Sequence, residues 1–87
     1  MIVFDPSKDA ANLDKHGVSL GLGAQMKLDG ALIVPSPRAD EDRSVAYGLI
    51  EDRLFVMVFT ARGEDLRVIS LRKANARERR QYDAVED

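Results

Sequence analysis

The sequence predicts an α+β domain in which two helices precede, and one helix follows, a mostly antiparallel sheet of four to five strands. The predicted order is β-α-α-β-β-β-β-α. Two tight-turn sequences separate three consecutive β-prone segments, which indicates antiparallel hairpins. Residues 54–59 are apolar on both alternating faces, so their strand should be central in the sheet. Helix start signals precede residues 6 and 76, outside the β-rich middle of the chain.

Length and composition limit the core and indicate the compartment. The 87 residues suffice for one domain, 1–87, which should bury roughly 60–68% of the surface that the unfolded chain exposes. The chain has no cysteine, so disulfides and thiolate metal sites are excluded, as is common in a reducing cytoplasm. It shows no signal-peptide pattern, and its longest apolar run is far shorter than the ~20 residues that span a bilayer. We therefore expect a soluble, cytoplasmic protein.

The N-terminal segment predicts a short strand followed by a helix. Residues 2–4 are β-prone. Asp5 can cap a helix, and Pro6 suits the first helical position because its missing N–H would be unpaired there anyway. The helix should run to about His16 and end at Gly17, which can adopt the left-handed conformation.

A second, weaker helix is predicted from Ser19, its N-cap, through Lys27. Gly21 and Gly23 each destabilise such a helix by about 1 kcal/mol relative to alanine. Gly30 ends this region. Strands are then predicted at 31–34, 43–50, 53–61 and 66–72, with an acidic loop at 39–42 and turns at 51–52 and 62–65.

The last helix begins with a capping-box pattern. Asn75 can cap it, and Glu78 lies at the third helical position, from which its carboxylate can reach back. Four- and three-residue spacing places Ala74, Glu78, Tyr82 and Val85 on the side that faces the sheet, while Arg79 and Arg80 point outward. On the preceding strand, simple alternation places Val68, Ser70 and Arg72 on one face.

Charge is distributed unevenly along the chain. Seven basic and three acidic residues lie between positions 62 and 82, a local charge of +4, whereas the rest of the chain carries −6. A basic surface of this kind can bind phosphates even when the net charge is −2. The overall charge therefore does not exclude a nucleic-acid substrate.

Arg72, Glu78 and Tyr82 form the candidate group for acid–base chemistry and anion binding. A purely structural explanation fits the same residues: Glu78 caps the helix and pairs with Arg72, while the ring of Tyr82 packs on the sheet. His16, the only histidine, either caps the C-terminus of the first helix or joins Lys15 in a phosphate-binding surface. Residue types alone reveal no nucleophile–base pair and no metal-ligand cluster.

Three segments together resemble one family. The first is Phe4-Asp5-Pro6 with Lys8, Asn12 and Lys15-His16-Gly17-Val18-Ser19. The second is Glu41, Arg43 and Gly48. The third is Val58 to Arg62 followed by Arg67, Val68, Ile69, Ser70, Arg72, Ala74, Glu78, Arg79 and Tyr82. This pattern resembles the BrnT toxins of type II toxin–antitoxin systems. The chain departs from the family at Phe4, usually tryptophan, and at 20–24, where the family has Phe-Glu-Glu-Ala.

The resemblance implies a RelE-like fold and metal-independent RNA cleavage. It also implies inhibition by a BrnA-type, ribbon-helix-helix-like antitoxin that itself binds operator DNA. On this hypothesis no cofactor is needed, and a preorganised positive charge stabilises the transition state. Arg72 and Arg79 would bind the scissile phosphate, Glu78 or Tyr82 would transfer protons, and further substrate contacts would come from Lys15, His16, Arg62 and Arg77. Two alternatives stay open: a non-catalytic interaction module, and a degenerate toxin that only binds its antitoxin or nucleic acid.

Overall fold

The computed structural model describes residues 1–36 and 42–86 and has the predicted α+β architecture. The elements in chain order are β1 (Ile2–Val3), α1 (Pro6–His16), a 3₁₀ helix (Leu20–Gln25), β2 (Lys27–Pro35), β3 (Arg43–Ile50), β4 (Arg53–Arg62), β5 (Asp65–Lys73) and α2 (Ala76–Glu86). The acidic loop predicted at 39–42 lies outside the described residues except for Asp42. Within the described ranges, neither α-helix is long and apolar enough to cross a bilayer.

All five strands belong to one sheet in the order β1-β5-β4-β3-β2. Among the described strands, the β1–β5 pair is parallel and the other three pairs are antiparallel. β4 lies in the middle of the sheet, as its two apolar faces predict. Glu51 and Asp52 both have positive φ, 49° and 66°, as a two-residue type I′ hairpin turn requires. Gly63 supplies the positive φ of the second hairpin turn.

Local signals at the first helix act as predicted. The Asp5 carboxylate accepts a hydrogen bond from the Ser7 backbone N–H at 2.8 Å. At the other end, Gly17 is left-handed with φ 76°, and its N–H donates to the Leu13 carbonyl. The sequence therefore fixes both ends of α1 through contacts within a few residues.

The second helix differs from the prediction, because it is a 3₁₀ helix that ends at Gln25, and β2 begins at Lys27. Ser19 caps it as predicted, through its side-chain oxygen and the Gly21 N–H. Gly23 is buried, and a Cβ there would lie 2.9 Å from Met57 Sδ. The glycine thus lets the short helix pack directly against the sheet.

The core lies on one face of the sheet, beneath the 3₁₀ helix. Its buried members are Leu20, Met26, Ala46, Ile50, Phe55, Met57, Phe59, Val68 and Leu71. The opposite face, which carries the odd-numbered β3 residues Val45 and Tyr47 and is contacted by α2, is called the α2 face below. Val45, Tyr47 and Val58 on this face are only half-buried, so it is less completely covered.

An irregularity in β5 changes which of its side chains reach each face. Ser70 pairs with Val58, but Val68 pairs with the next β4 residue, Phe59, which leaves Ile69 as an extra residue. Val68 therefore points into the core, where it is 1% exposed. The predicted common face of Val68 and Arg72 is wrong, because simple alternation does not hold across a bulge. Arg67 and Arg72 instead share the α2 face.

Asn12 closes the free edge of β5 beyond β1. Its side-chain amide donates to the Leu71 carbonyl at 2.8 Å and its side-chain oxygen accepts from the Leu71 N–H at 3.1 Å. A third bond runs to the Val18 carbonyl at 2.9 Å. The side chain occupies the place of a neighbouring strand, so α1 covers an edge that would otherwise be open to pairing.

Candidate active site

The candidate group forms where β5 ends and α2 begins. Arg72 pairs with Val56 of β4 and lies on the α2 face. The chain then turns through Ala74 and Asn75 into α2, which returns over the same end of the sheet. Glu78, in the first turn of the helix, is thereby brought back over Arg72.

Arg72 and Glu78 form a two-pronged ion pair. Arg72 Nη1 donates to Glu78 Oε1 and Nη2 donates to Oε2, both at 2.8 Å. The Glu78 side chain is only 13% exposed, against 37% for Arg72. Planar guanidinium–carboxylate pairs of this geometry are among the stronger charge-assisted hydrogen bonds. Each member of the pair therefore neutralises the charge of the other.

Glu78 also closes the predicted capping box. The Asn75 N–H donates to Glu78 Oε1 at 2.9 Å, and the Glu78 N–H donates to Asn75 Oδ1 at 2.8 Å. The capping prediction is confirmed, with asparagine in the capping position. Glu78 thus has two structural tasks, because one carboxylate holds both the arginine and the start of the helix.

These contacts shift the ionisation of both partners in the same direction, toward the charged pair. Hydrogen bonding to Arg72 lowers the pKa of Glu78, assisted by the Asn75 N–H and opposed by partial burial. Hydrogen bonding to Glu78 raises the pKa of Arg72. Glu78 is therefore an anion at neutral pH and, while paired, a weak proton acceptor.

Tyr82 anchors α2 to the far edge of the sheet. Its hydroxyl donates to the Gly30 carbonyl of β2 at 3.1 Å. That carbonyl is available because β2 bulges: Lys27 pairs with Leu49 and Leu32 with Tyr47, so four β2 residues stand opposite Gly48 alone. The side chain is half-buried, as the helical spacing predicts.

The remaining α2 side chains are mostly in solvent. Arg77, Arg79 and Arg80 are exposed, so Arg79 and Arg80 point outward as predicted. The prediction that Val85 faces the sheet is wrong, since its side chain is 60% exposed.

Three predicted substrate contacts lie apart from this pair. Lys15 and His16 are in the last turn of α1, and within the described part of the chain no hydrogen bond or ion pair joins either to Arg72 or Glu78. Arg62 ends β4 at the hairpin, at the other end of the α2 face. The structure brings together Arg72, Glu78 and, on the next turn of α2, Tyr82, but not the whole predicted set.

Arg62 instead lines a cleft of about 570 Å³ with Lys8, Arg43 and Arg67. Of these four cations, only Arg62 is a predicted substrate contact, whereas Lys8, Arg43 and Arg67 belong to the three segments that resemble the family. The others come together because Arg43, Thr60 and Arg67 are cross-strand neighbours. The two hairpin turns are the signal in the sequence, because they set the register of the three strands. Simple alternation nevertheless places Arg67 on the wrong face, because it does not account for the bulge in β5.

No group of three or more histidine, cysteine, aspartate or glutamate residues within 1–36 and 42–86 is arranged to hold a metal ion. Asn12, one of the motif residues, is 5% exposed, and its side-chain amide donates hydrogen bonds to the backbone carbonyls of Val18 and Leu71. Its role is structural. The motif residues thus divide between those that hold the fold and those that present charge.

Comparisons with known proteins agree with one another. The family model described as "Ribonuclease toxin, BrnT, of type II toxin-antitoxin system" matches residues 4–78. The fold is similar to the crystal structure of the Brucella abortus ribonuclease toxin BrnT, with a TM-score of 0.72 and 28% sequence identity, covering 85% of this chain and 95% of that one. Among curated proteins, none matches the chain. The matched segment includes Arg72 and Glu78 and ends before Arg79 and Tyr82.

Proposed function

Since this chain belongs to the BrnT family of ribonuclease toxins of type II toxin–antitoxin systems, we propose that it is an endoribonuclease that cleaves RNA without a metal ion, inhibiting translation and growth. The observation that carries the proposal is the family match over residues 4–78. The site is the α2 face at Arg72. Membership of the family also implies an antitoxin partner.

To cleave RNA without a metal ion, the protein must assist three chemical changes. A ribose 2′-OH must lose its proton as its oxygen attacks the adjacent phosphorus. The negative charge that grows on the phosphoryl oxygens must be stabilised, and the departing 5′-oxygen must gain a proton. Preorganised cations are the most effective means of stabilising this negative charge on the phosphoryl oxygens. Arg72, whose orientation Glu78 fixes, would bind the scissile phosphate, with the exposed Arg79 approaching from α2.

The proton transfers are assigned to Glu78 or Tyr82. The contacts of each side chain limit its ability to transfer a proton in a different way. Hydrogen bonding to Arg72 lowers the pKa of Glu78, so Glu78 is a weak base while the pair persists. The Tyr82 hydroxyl already donates to Gly30. Comparing Glu78→Gln with Tyr82→Phe separates the two, because the variant that lacks the proton carrier should lose turnover while it still binds RNA.

The partner is proposed to be a BrnA-type antitoxin with a ribbon-helix-helix-like domain, which would contact operator DNA on behalf of the complex. The exposed arginines 77, 79 and 80 of α2 offer an acidic antitoxin segment a complementary surface. Binding to the folded state alone would also stabilise this small domain by mass action.

A second candidate is favoured by one observation: Arg72 and Glu78 neutralise each other in a two-pronged pair. A chain whose candidate group serves only to hold α2 would be an interaction module or a degenerate toxin. It would bind its antitoxin or RNA through many arginines together, with no single residue essential. The enzyme predicts a sharp loss at one or two positions while RNA binding persists.

The test is inducible expression without antitoxin, following growth and total RNA. The parent should arrest growth and degrade RNA, and the double variant Arg72→Ala, Glu78→Gln should do neither. Arg53→Gln, which removes an exposed arginine at the opposite end of β4 from Arg62, is the matched control and should remain toxic. Purified protein should cleave RNA in EDTA. Normal growth and intact RNA with the folded parent would favour the second candidate.

A further inference from the structure

A row of polar and cationic side chains crosses the α2 face at the end away from Arg72. Arg43, Thr60 and Arg67 pair directly across β3, β4 and β5, so their side chains emerge next to one another on one face. Lys8 of α1 and Arg62 line the same cleft. Residues far apart in the chain therefore surround one space with four cations.

Three of the four cations of this cleft have no ion-pair partner among the residues that the structure describes. Lys8, Arg62 and Arg67 form no ion pair within the described ranges, and Asp42 is the one acid among the described residues that line the cleft. The Thr60 hydroxyl oxygen is buried and has no hydrogen-bond partner in the part of the chain that the structure describes. Close like charges and an unsatisfied hydroxyl are each unfavourable alone, and an anion bound among them would relieve both.

The cleft and the Arg72 pair lie on one continuous surface. Thr60 and Val56, which pair with Arg67 and Arg72 respectively, are four residues apart on β4, or about 13 Å. Half-buried Val45 and Val58 form the surface between them. A charged site, an apolar strip and a second charged site suit a single-stranded nucleic acid, whose phosphates alternate with bases that pack on apolar surface.

We propose that the cleft lined by Lys8, Arg43, Arg62 and Arg67 binds a backbone phosphate of the RNA substrate other than the scissile one, and so sets the position of the strand along the α2 face. This inference rests on the proposed function, since it adds a second subsite for the same substrate. The guanidinium groups of Arg62 and Arg67, on the adjacent strands β4 and β5, and the Thr60 hydroxyl can all donate to one phosphate. The cleft is a binding site for substrate and takes no part in proton transfer.

The experiment measures binding separately from cleavage. A fluorescein-labelled single-stranded RNA with 2′-O-methyl groups lacks the nucleophile, so it can bind without being cut. Its anisotropy is titrated with the parent, with Arg67→Gln and with Arg53→Gln, over a series of salt concentrations. Arg53→Gln removes the same charge from an exposed position at the opposite end of β4. Thermal melts of all three proteins verify that they are folded.

We expect Arg67→Gln to weaken RNA binding by about 3- to 10-fold at low salt and to reduce the slope of log K against log salt by about 0.7, the value for one lost contact to a single-stranded phosphate. Arg53→Gln should change neither. Equal effects of the two variants, or a parent that does not bind this RNA, would overturn the inference. So would a weakened affinity of Arg67→Gln for the antitoxin with unchanged RNA binding, because the cleft would then hold an acidic peptide. If the parent binds RNA in a manner that depends on Arg67 but does not cleave RNA, the subsite is supported and the proposed ribonuclease activity is contradicted.

Discussion

The Tyr82 hydroxyl donates a hydrogen bond to the Gly30 carbonyl across 52 residues of sequence. The bond joins the middle of α2 to the bulge of β2, and the Arg72–Glu78 pair joins the start of α2 to β5. These two attachments hold the helix over the sheet from one side to the other. Any catalytic role of Glu78 or Tyr82 is therefore combined with a structural one, and each must be measured separately.

Tyr82→Phe should lower the free energy of unfolding by only about 0.5–1 kcal/mol, because the lost hydrogen bond is exposed to solvent. Hydrogen exchange of the α2 backbone amides should become faster, while the core strands keep their protection. Gln81→Ala, an exposed change on the same helix, is the control and should leave exchange unchanged. A loss of RNA cleavage far larger than this loss of stability would assign Tyr82 to proton transfer.

Glu78→Gln should destabilise the protein by about 1–2 kcal/mol at neutral pH, through the lost ion pair and weakened cap. The folded state lowers the pKa of Glu78 below its ordinary value of 4.5, so its contribution is complete above that value and is lost as the pH falls through the folded-state pKa. Denaturation curves of parent and variant should therefore converge as the pH falls through this lowered folded-state pKa. Glu64→Gln, an exposed acid at the hairpin turn, should show no comparable difference, and a pH-independent gap for Glu78→Gln would contradict the assignment.

Asn12→Leu should destabilise the fold by about 2–4 kcal/mol, because it leaves the buried backbone N–H and carbonyl of Leu71 without partners. Chemical denaturation gives the difference directly. Asp14→Ala, an exposed change on the same helix, should stay within about 0.5 kcal/mol of the parent. Near-native stability of Asn12→Leu would show that β5 tolerates an open edge.

Gly48→Ala should lower the free energy of unfolding by about 1–3 kcal/mol, because the added methyl group overpacks the core. A Cβ at this position would lie 2.8 Å from Met26 Cγ and 3.2 Å from the Ala31 Cβ. In a double-mutant cycle, the added cost of Gly48→Ala should shrink in a Met26→Ala background, because the closest neighbour is gone. Gly30→Ala is the matched control, since a Cβ there meets nothing within 4 Å. Equal costs for the two glycines would refute the steric explanation.

The sequence by itself determined the elements that depend on contacts between near neighbours. Asp5, Pro6 and Gly17 set both ends of α1, Glu51-Asp52 set a hairpin, and Asn75 with Glu78 set the start of α2. The sequence also predicts the Arg72–Glu78 pair as one structural possibility, because Arg72 lies at the end of β5, just before the helix whose first turn carries Glu78. Family membership was also within reach of the motifs alone.

The tertiary structure alone decided the features that depend on register between distant segments. The bulge at Ile69 moved Val68 into the core and put Arg67 beside Thr60. The bulge of β2 leaves the Gly30 carbonyl available to the Tyr82 hydroxyl. Asn12 binds the backbone of Leu71, which lies 59 residues away in the sequence. A strand slip of one residue exchanges the two faces of a sheet, and no local pattern in the sequence specifies where an extra residue will be accommodated. That choice is made by the packing of the whole sheet, which is why the cationic cleft became visible only in the folded protein.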